Sequence, residues 1–326
     1  HQITLATLWQ NAEERHDIAA LTALGIQVVA EPLPKLRSLW NSALAVPTRT
    51  PLQARYCWQP ALAAMLTQLV TEQCFDVAHV EHLRGAAYGL LLRKVANESG
   101  IRLPIVWDSV DCISHLFAQA ARQSRSRQGR LMTTLELPRT QRYEGWLLDQ
   151  FERTLITSKS DQQAMLQLNG QQHPQRLHRA GHVPAPPQPL VLPNGVDLGD
   201  CTQLPEHGAS RARASNSSSP VIVFSGKMSY HANVTAALYL VQEIMPAVWR
   251  EHPEVKVQIV GKDPPKEICA LATPSSATAR VVEVTGQVAS IRPYLQAATL
   301  AVAPLLYGAG IQNKVLEAMA CGTPVI

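Results

Sequence analysis

The residues best suited to chemistry lie near the carboxy-terminal end of the chain, in the run Tyr307-Gly308-Ala309-Gly310-Ile311-Gln312-Asn313-Lys314-Val315-Leu316-Glu317-Ala318-Met319-Ala320-Cys321-Gly322-Thr323-Pro324. The glycines allow a tight turn with exposed backbone N–H groups, and the residues after them have the composition of a helix whose positive dipole end would face that turn. The pattern is that of an anion site. Lys314 and Glu317 stand three apart on an otherwise apolar helix, where a carboxylate has to be hydrogen-bonded or it is costly to bury. The plain alternative is an i,i+3 ion pair on an ordinary glycine-capped helix. A second turn of the same kind is Phe224-Ser225-Gly226-Lys227-Met228, which would put another cation after a strand. Gly261-Lys262-Asp263 and Thr285-Gly286-Gln287-Val288 end the next two strands in the same way.

Such turns are useful only if a scaffold holds them at one edge. Short apolar runs alternate with longer segments of helical period throughout, the pattern of βα units feeding parallel sheets. In the first half the spacing predicts strands over 3–8, 26–31, 76–81, 104–110, 153–158 and 189–193, with helices over 12–24, 52–73, 83–98 and 131–151. After Pro220 it predicts strands over 221–224, 255–260, 281–284 and 300–303, with helices over 233–250, 265–272, 289–298 and 311–320. Segments 169–188 and 203–219 have loop compositions, and the second marks a boundary. The expected fold is therefore α/β, with two Rossmann-like doubly wound parallel-sheet domains facing a cleft: residues 1–202, a linker over 203–219, and residues 220–326. Right-handed crossovers would bring the strands' carboxyl ends, and so the glycine turns, to one edge of each sheet.

The first half offers a second group at strand ends: Glu81, His82, Arg84 and Gly85 after one strand, Asp108, Ser109 and Asp111 after another. Asp108 and Asp111 suit a base and an orienter for a hydroxyl nucleophile, or else Asx-type caps of the turn. His79-Val80-Glu81-His82 is not read as a metal site, since alternate residues of a strand point to opposite faces and no H-E-x-x-H helix exists. Arg122, Arg125, Arg127, Arg130, Arg139 and Arg142 make 120–142 basic, either a solvated face or one attracted to anionic lipid.

Composition narrows the classes. At 326 residues the chain exceeds one ordinary core,. Charged residues make up 17% and hydrophobic ones 46%, which excludes disorder,. A net charge of +4 is too small for a nucleic-acid binder,. The six cysteines form no C-x-x-C pair, which suggests reduced thiols in a cytoplasm rather than zinc or a disulfide framework,. No run is long enough for a transmembrane helix. The only G-x-G, Gly308 to Gly310, lacks the third glycine of a dinucleotide fingerprint. The chain opens on His1 in a strand-like run and stops as a strand begins at 323–326, so it is read as a fragment lacking elements at both ends.

Taken together, Gly226-Lys227, Gly286-Gln287-Val288 and Gly308 through Val325 resemble the nucleotide-sugar-binding domain of glycosyltransferase family 4, of GT-B fold. The resemblance extends upstream through 75–85, 106–114 and Leu192-Pro193-Asn194-Gly195-Val196-Asp197, and is close to the exosortase-associated sugar transferase subgroup. It implies a retaining, metal-independent transferase with no cofactor, using a nucleotide-diphosphate sugar as donor. Glu317 would bind the ribose hydroxyls, Lys227 and Lys314 the diphosphate, Gly226, Gly308, Ala309, Gly310 and Ile311 would approach it by backbone, and Gly286, Gln287 and Val288 would lie near the base. The acceptor, a glycan or lipid-linked, would meet His82, Arg84, Gly85, Asp108, Ser109 and Asp111. The setting implied is cytoplasmic, with peripheral contact to the inner membrane surface. Many members carry a glutamate seven residues before the position of Glu317, where this chain has Gly310, and a histidine near Val110; donor sugar and acceptor activation are left open by these departures. An epimerase or phosphorylase of the same fold, or a two-domain binding protein, are the alternative readings.

Overall fold

A computed structural model of the protein describes residues 2–124, 127–172, 188–198, 219–274 and 279–326. Two compact units divide the chain, one of residues 1–118 and 132–193, the other of 119–131 and 194–326. The linker expected over 203–219 and most of the loop expected over 169–188 lie outside the described residues. No helix among the described residues is long and apolar enough to cross a membrane.

In the first unit β1 (Thr4–Trp9) and β2 (Gln27–Pro32) form a two-stranded parallel ladder, with α1 (Ala12–Ala23) between them in sequence. A four-stranded parallel sheet follows, in the order β3 (Ala78–Glu81), β4 (Ile105–Asp108), β5 (Arg153–Ile156), β6 (Leu190–Val191). A single sheet was expected; among the described residues no ladder joins these two. Helix α4 (Pro60–Glu72) packs on β1 and β2 and on α5 (His82–Ser99), which in turn covers β3 and β4. Trp107, Ile105, Ile156 and Leu83 are fully buried in the resulting core, each such side chain contributing roughly 1.5–3 kcal/mol.

Several expected boundaries shift for identifiable reasons. The helix expected over 52–73 is two, α3 (Leu52–Tyr56) and α4, because Pro60 forces Gln59 into extended backbone and then starts a new helix,. The strand expected to reach 110 stops at Asp108, since Val110 adopts a left-handed φ of 62°. Three helices were not anticipated: α2 (Lys35–Ala45), α6 (Ile113–Gln123) and α8 (Lys159–Gln172). Prolines crowd the flanks of α2, and α8 is rich in Gln, so neither carries an ordinary core-facing signal. Helix α7 (Arg127–Leu147) contains Pro138 and starts earlier than expected.

The second unit matches its expected alternation closely. Its sheet is parallel, in the order β10 (Leu300–Ala301), β7 (Val221–Ser225), β8 (Lys256–Val260), β9 (Val282–Gly286). Neighbouring residues of β7 serve opposite faces: Phe224 packs with Val257, Ile259 and Met245, Val223 with Val260, Leu295 and Ala318. Both faces are covered, as a doubly wound sheet requires. The long helix expected over 233–250 runs as α9 (His231–Tyr239), a π-helical turn (Leu240–Ile244) and α10 (Met245–Glu251). The Met245 N–H reaches back to the Leu240 carbonyl, a wider register that precedes Pro246, which has no N–H to give,. Short helices α11 (Lys266–Cys269) and α12 (Arg292–Ala297) precede β9 and β10, and α13 (Asn313–Ala320) comes last. The segment expected to begin a strand at the end of the chain bridges in parallel from Val325 to Ala301.

Candidate functional site

In the second sheet β7 has β8 on one side and β10 on the other, so chain order reverses between β7 and β10. The carboxyl ends of two strands that diverge in this way leave a crevice, the usual ligand position in such sheets. The two turns singled out from sequence emerge here, Gly226-Lys227 after β7 and Gly308 to Gly310 after β10.

The first turn is held by backbone contacts that only glycine permits. Gly226 donates its N–H to Val260 O (3.0 Å), and Met228 donates to Lys262 O (2.9 Å). Gly226 and Gly261 have φ of 147° and 151°, and a Cβ on Gly261 would overlap the Gly226 carbonyl. Lys314, on the first turn of α13, reaches this place from the other side. Its Nζ donates to Asn233 Oδ1 (2.5 Å) and lies 4.7 Å from the centre of the Phe224 ring. Asn233 donates its Nδ2 to Lys227 O (2.9 Å), so one side chain ties the β7 turn to the lysine of α13. Burial pulls the Lys314 ammonium down to about 8, with the Glu317 carboxylate opposing. A partly desolvated cation beside a glycine turn is a receptor for an anion.

The second turn rests on Tyr307, whose hydroxyl meets His231 Nδ1 (2.9 Å) and Thr235 Oγ1 (3.2 Å). His231 stacks on Tyr307, and although much of the residue is open to solvent, desolvation of the ring lowers its basicity. Gly310 takes φ 68°, and Gln312 donates to Ala309 O (3.2 Å).

Glu317 lines a cavity that Lys314 does not, while its carboxylate still acts on the Lys314 ammonium. Asn313, Leu316, Glu317 and Ala320 form one stripe of α13 and line a cavity of about 290 Å³ with Asp197, Ile291 and Arg292. Asn194 closes this region by donating to Asn313 Oδ1 (2.9 Å). No ion pair within 4.0 Å joins Glu317 to Lys314 among the described residues. The plain reading of these two as an i,i+3 pair is thus replaced by one in which Asn233 takes the ammonium. Lys227 is exposed, whereas Lys314 is half-buried. Gly286 ends β9 at φ 70° and accepts the Gly261 N–H (3.2 Å), with Gln287 and Val288 next along the chain. Ile311 is half-buried ahead of α13.

In the first unit the residues at strand ends divide into structural and available groups. Asp108 Oδ1 accepts the Val110 N–H (3.0 Å), the Asx-type turn, while its Oδ2 lies 3.5 Å from His79 Nε2. Ser109 is buried and donates to Asp111 O (2.9 Å). Gly85 packs on Val80, and the Arg84 guanidinium lies over Tyr56. His82 adopts φ 60° and its ring nitrogen is 3.9 Å from Glu81. Burial, reinforced by Asp161 and Asp108 and opposed by His82, holds the Asp111 carboxyl up at about 6. Thr157 fixes the strained Val110 by donating both its N–H (3.0 Å) and its hydroxyl (2.9 Å) to Val110 O.

Sequence reasoning missed Asn233, Tyr307 as a support, and Glu144. Glu144 is fully buried and accepts the N–H groups of Ile113 (2.8 Å) and Ser114 (3.0 Å), capping α6 from a distant helix. Asn233 was detectable as a polar residue inside the apolar stretch Ala232 to Leu240; Glu144 left no local signal.

Residues 219–326 match the family described as glycosyl transferases group 1. No curated protein matches the chain. Among solved structures, Anabaena HepE, determined with UDP and glucose, is similar at 15% identity and TM-score 0.56, covering 99% of this chain and 80% of its own. An α,α-trehalose-phosphate synthase (UDP-forming) of Burkholderia vietnamiensis is similar at 10% identity and TM-score 0.58, covering 98% and 82%. A trehalose-6-phosphate synthase studied with bisubstrate glycomimetics for glycosyltransfer with retention is similar at 12% identity and TM-score 0.60, covering 97% and 80%. The fold is thus of GT-B type, and residues 219–326 are a glycosyltransferase domain.

Proposed function

We propose that the protein is a retaining, metal-independent glycosyltransferase of family 4, near the exosortase-associated subgroup, moving a sugar from a nucleotide-diphosphate donor to an acceptor hydroxyl in polysaccharide or glycoconjugate biosynthesis. The observation that carries this reading is Lys314, drawn onto the Gly226 turn at the point where strand order reverses. Breaking the bond between sugar and phosphate leaves negative charge on the diphosphate. The Lys314 ammonium and the start of α13 stabilise that charge as it grows, with the Gly308 to Ile311 turn alongside, whose Gly308 N–H is held by Gln119 Oε1 (3.1 Å), and exposed Lys227 adds to the field. Glu317 accepts from the ribose hydroxyls in its cavity, and Gly286, Gln287 and Val288 border the base. HepE and the trehalose-phosphate synthases support UDP as the first nucleotide to test, and the study of retention in one of them supports that stereochemistry.

On the acceptor side Asp111, with its proton affinity near neutrality, suits the group that takes the hydroxyl proton, and Asp108 holds its turn,. Ser109 and Gly85 shape that end of the sheet, while His82 and Arg84 lie beside it. The acceptor is a glycan or a lipid-linked saccharide, and the reaction is cytoplasmic, with peripheral contact to the inner membrane surface. The test is calorimetric titration of the complete protein with UDP, together with transfer of label from a UDP-sugar. Glu317→Ala and Lys314→Ala should each weaken binding at least tenfold. Unchanged affinity in both variants refutes the site. Product analysis separates the alternatives: an epimerase needs no acceptor, a phosphorylase consumes inorganic phosphate, and a binding protein turns nothing over.

A further inference from the structure

Helix α2 is built inside out. Its buried positions are Ser38, Asn41 and Ala45, whereas Leu36, Leu39, Trp40 and Leu44 are 80%, 64%, 61% and 56% exposed, and Val46 follows at 55%. These apolar residues recur at helical spacing and form one stripe, the reverse of a helix whose apolar side faces its own core. The orientation is fixed from behind, because Asn41 Nδ2 donates to Tyr56 O (3.3 Å) and to Trp58 O (2.7 Å). Between the helix and the following segment a groove of about 240 Å³ is lined by Arg37, Trp40, Asn41, Leu44, Arg55 and Trp58.

Along the chain that carries this stripe, between Glu31 and Glu72, the charge has one sign. From Pro32 to Thr71 the chain contains Lys35, Arg37, Arg49 and Arg55 and not one Asp or Glu. Glu136 reaches the region from α7, and it is already used: it is buried, accepts the Leu52 N–H (2.8 Å) and pairs with Arg139 (3.1 Å), which donates onward to Val46 O. The four basic residues are left uncompensated by that pair. Leucines and a tryptophan on one face, ringed by cations on long stems, match the boundary of an anionic bilayer. There the apolar side chains enter the acyl region, Trp sits at the interface, and Lys and Arg reach headgroup phosphates. Two copies facing each other through this surface would bring like charges together, which disfavours self-association.

We propose that the α2 face, Leu36, Leu39, Trp40 and Leu44 with Lys35, Arg37, Arg49 and Arg55, docks the protein on an anionic lipid surface. This deepens the membrane contact of the proposed function by giving it a surface, yet needs no transfer reaction. The test is co-sedimentation of the full chain with vesicles of phosphatidylcholine, alone or with phosphatidylglycerol, without donor or acceptor. A failure here leaves the transfer assay untouched, and a failed transfer assay leaves the vesicle result standing. The expected result is binding to the anionic vesicles that weakens with salt and is lost in Leu36→Gln/Leu39→Gln and in Trp40→Ala. Lys35→Gln and Arg49→Gln should each lower partitioning about fivefold. All these side chains are exposed, so the variants should keep the wild-type melting temperature. Absence of binding, equal binding to neutral vesicles, or binding unaffected by Leu36→Gln/Leu39→Gln overturns the proposal. A concentration-dependent dimer abolished by the same substitutions assigns the face to a second copy and also overturns it.

Discussion

If Lys314 holds the diphosphate, donor affinity has to follow the charge on that one ammonium. Lys314 titrates at about 8, so about nine-tenths of the free protein carries the charge at pH 7 and about a tenth at pH 9. A bound diphosphate keeps the proton on, so the break seen in affinity is that of the free protein. Log Kd for UDP is therefore expected to be level below pH 8 and to climb above it with a slope approaching one. The terminal phosphate of UDP, with its second ionisation at about pH 6, is already dianionic over this range. A charge-assisted hydrogen bond is worth about 1.5–3 kcal/mol, so Lys314→Met should weaken UDP roughly 10- to 150-fold at pH 7.5 and remove the break. Lys314→Arg stays charged throughout and supplies the ligand's own titration as a baseline, its slope being informative whatever the guanidinium does to absolute affinity. Asn233→Ala takes away the oxygen that receives the Lys314 proton (2.5 Å), so the break should move below pH 8. Calorimetry from pH 7 to 9 on the four proteins is the assay. Parallel profiles for wild type and Lys314→Met, or equal affinity at pH 7.5, would refute the assignment of Lys314 to the diphosphate.

Three further outcomes are expected from the packing. Gly261→Ala places a methyl group onto the Gly226 carbonyl, and urea denaturation should show a loss of about 3 kcal/mol or more, the upper end of overpacking costs. Val110→Gly relieves a left-handed β-branched residue; strain of about 1–2 kcal/mol set against about 0.5–1 kcal/mol for the glycine predicts a net gain of up to about 1.5 kcal/mol in thermal unfolding, and a loss contradicts the strain argument. Burial holds the Glu144 carboxyl up at about 7 against an ordinary 4.5, so the folded state keeps a proton that the unfolded chain releases, and stability should fall as pH rises from about 4.5 to 7. Glu144→Gln should flatten that part of the stability profile, and an unchanged slope would assign it to other groups.

What was legible in the sequence is what is set locally. The glycine that ends β7, the Lys after it, and the Gly308 to Gly310 turn ahead of α13 announce themselves because tight turns and helix starts draw on a few residue types at fixed offsets. The breaks inside helices were equally local, and Gln59-Pro60 could have located one of them. The contacts that turn those elements into a site depend on residues far apart: Asn233 and Lys314 are separated by 81 positions, and no propensity of either announces the other. Tyr307 stands out in the sequence only as the residue before a glycine turn, and its support by His231 and Thr235 exists only because the sheet brings β10 beside β7.

Spacing also misled where it left orientation undetermined. Lys314 and Glu317 stand three apart on α13, near enough for the carboxylate to act on the ammonium, yet the Asn233 oxygen and the Phe224 ring take the Lys314 head group in place of an ion pair. Lys314 meets Asn233 at the sheet edge and Glu317 lines the cavity with Asp197 and Arg292, so on the proposed reading phosphate and ribose contacts fall to different residues of one helix. That division suits a ligand whose diphosphate enters over the helix start while its nucleoside lies along the side. It also separates the two functions experimentally. Lys314→Met should abolish the pH break of UDP binding, whereas Glu317→Ala should weaken nucleosides and nucleotides alike and move the break below 8 without removing it, because the Glu317 carboxylate raises the Lys314 ammonium.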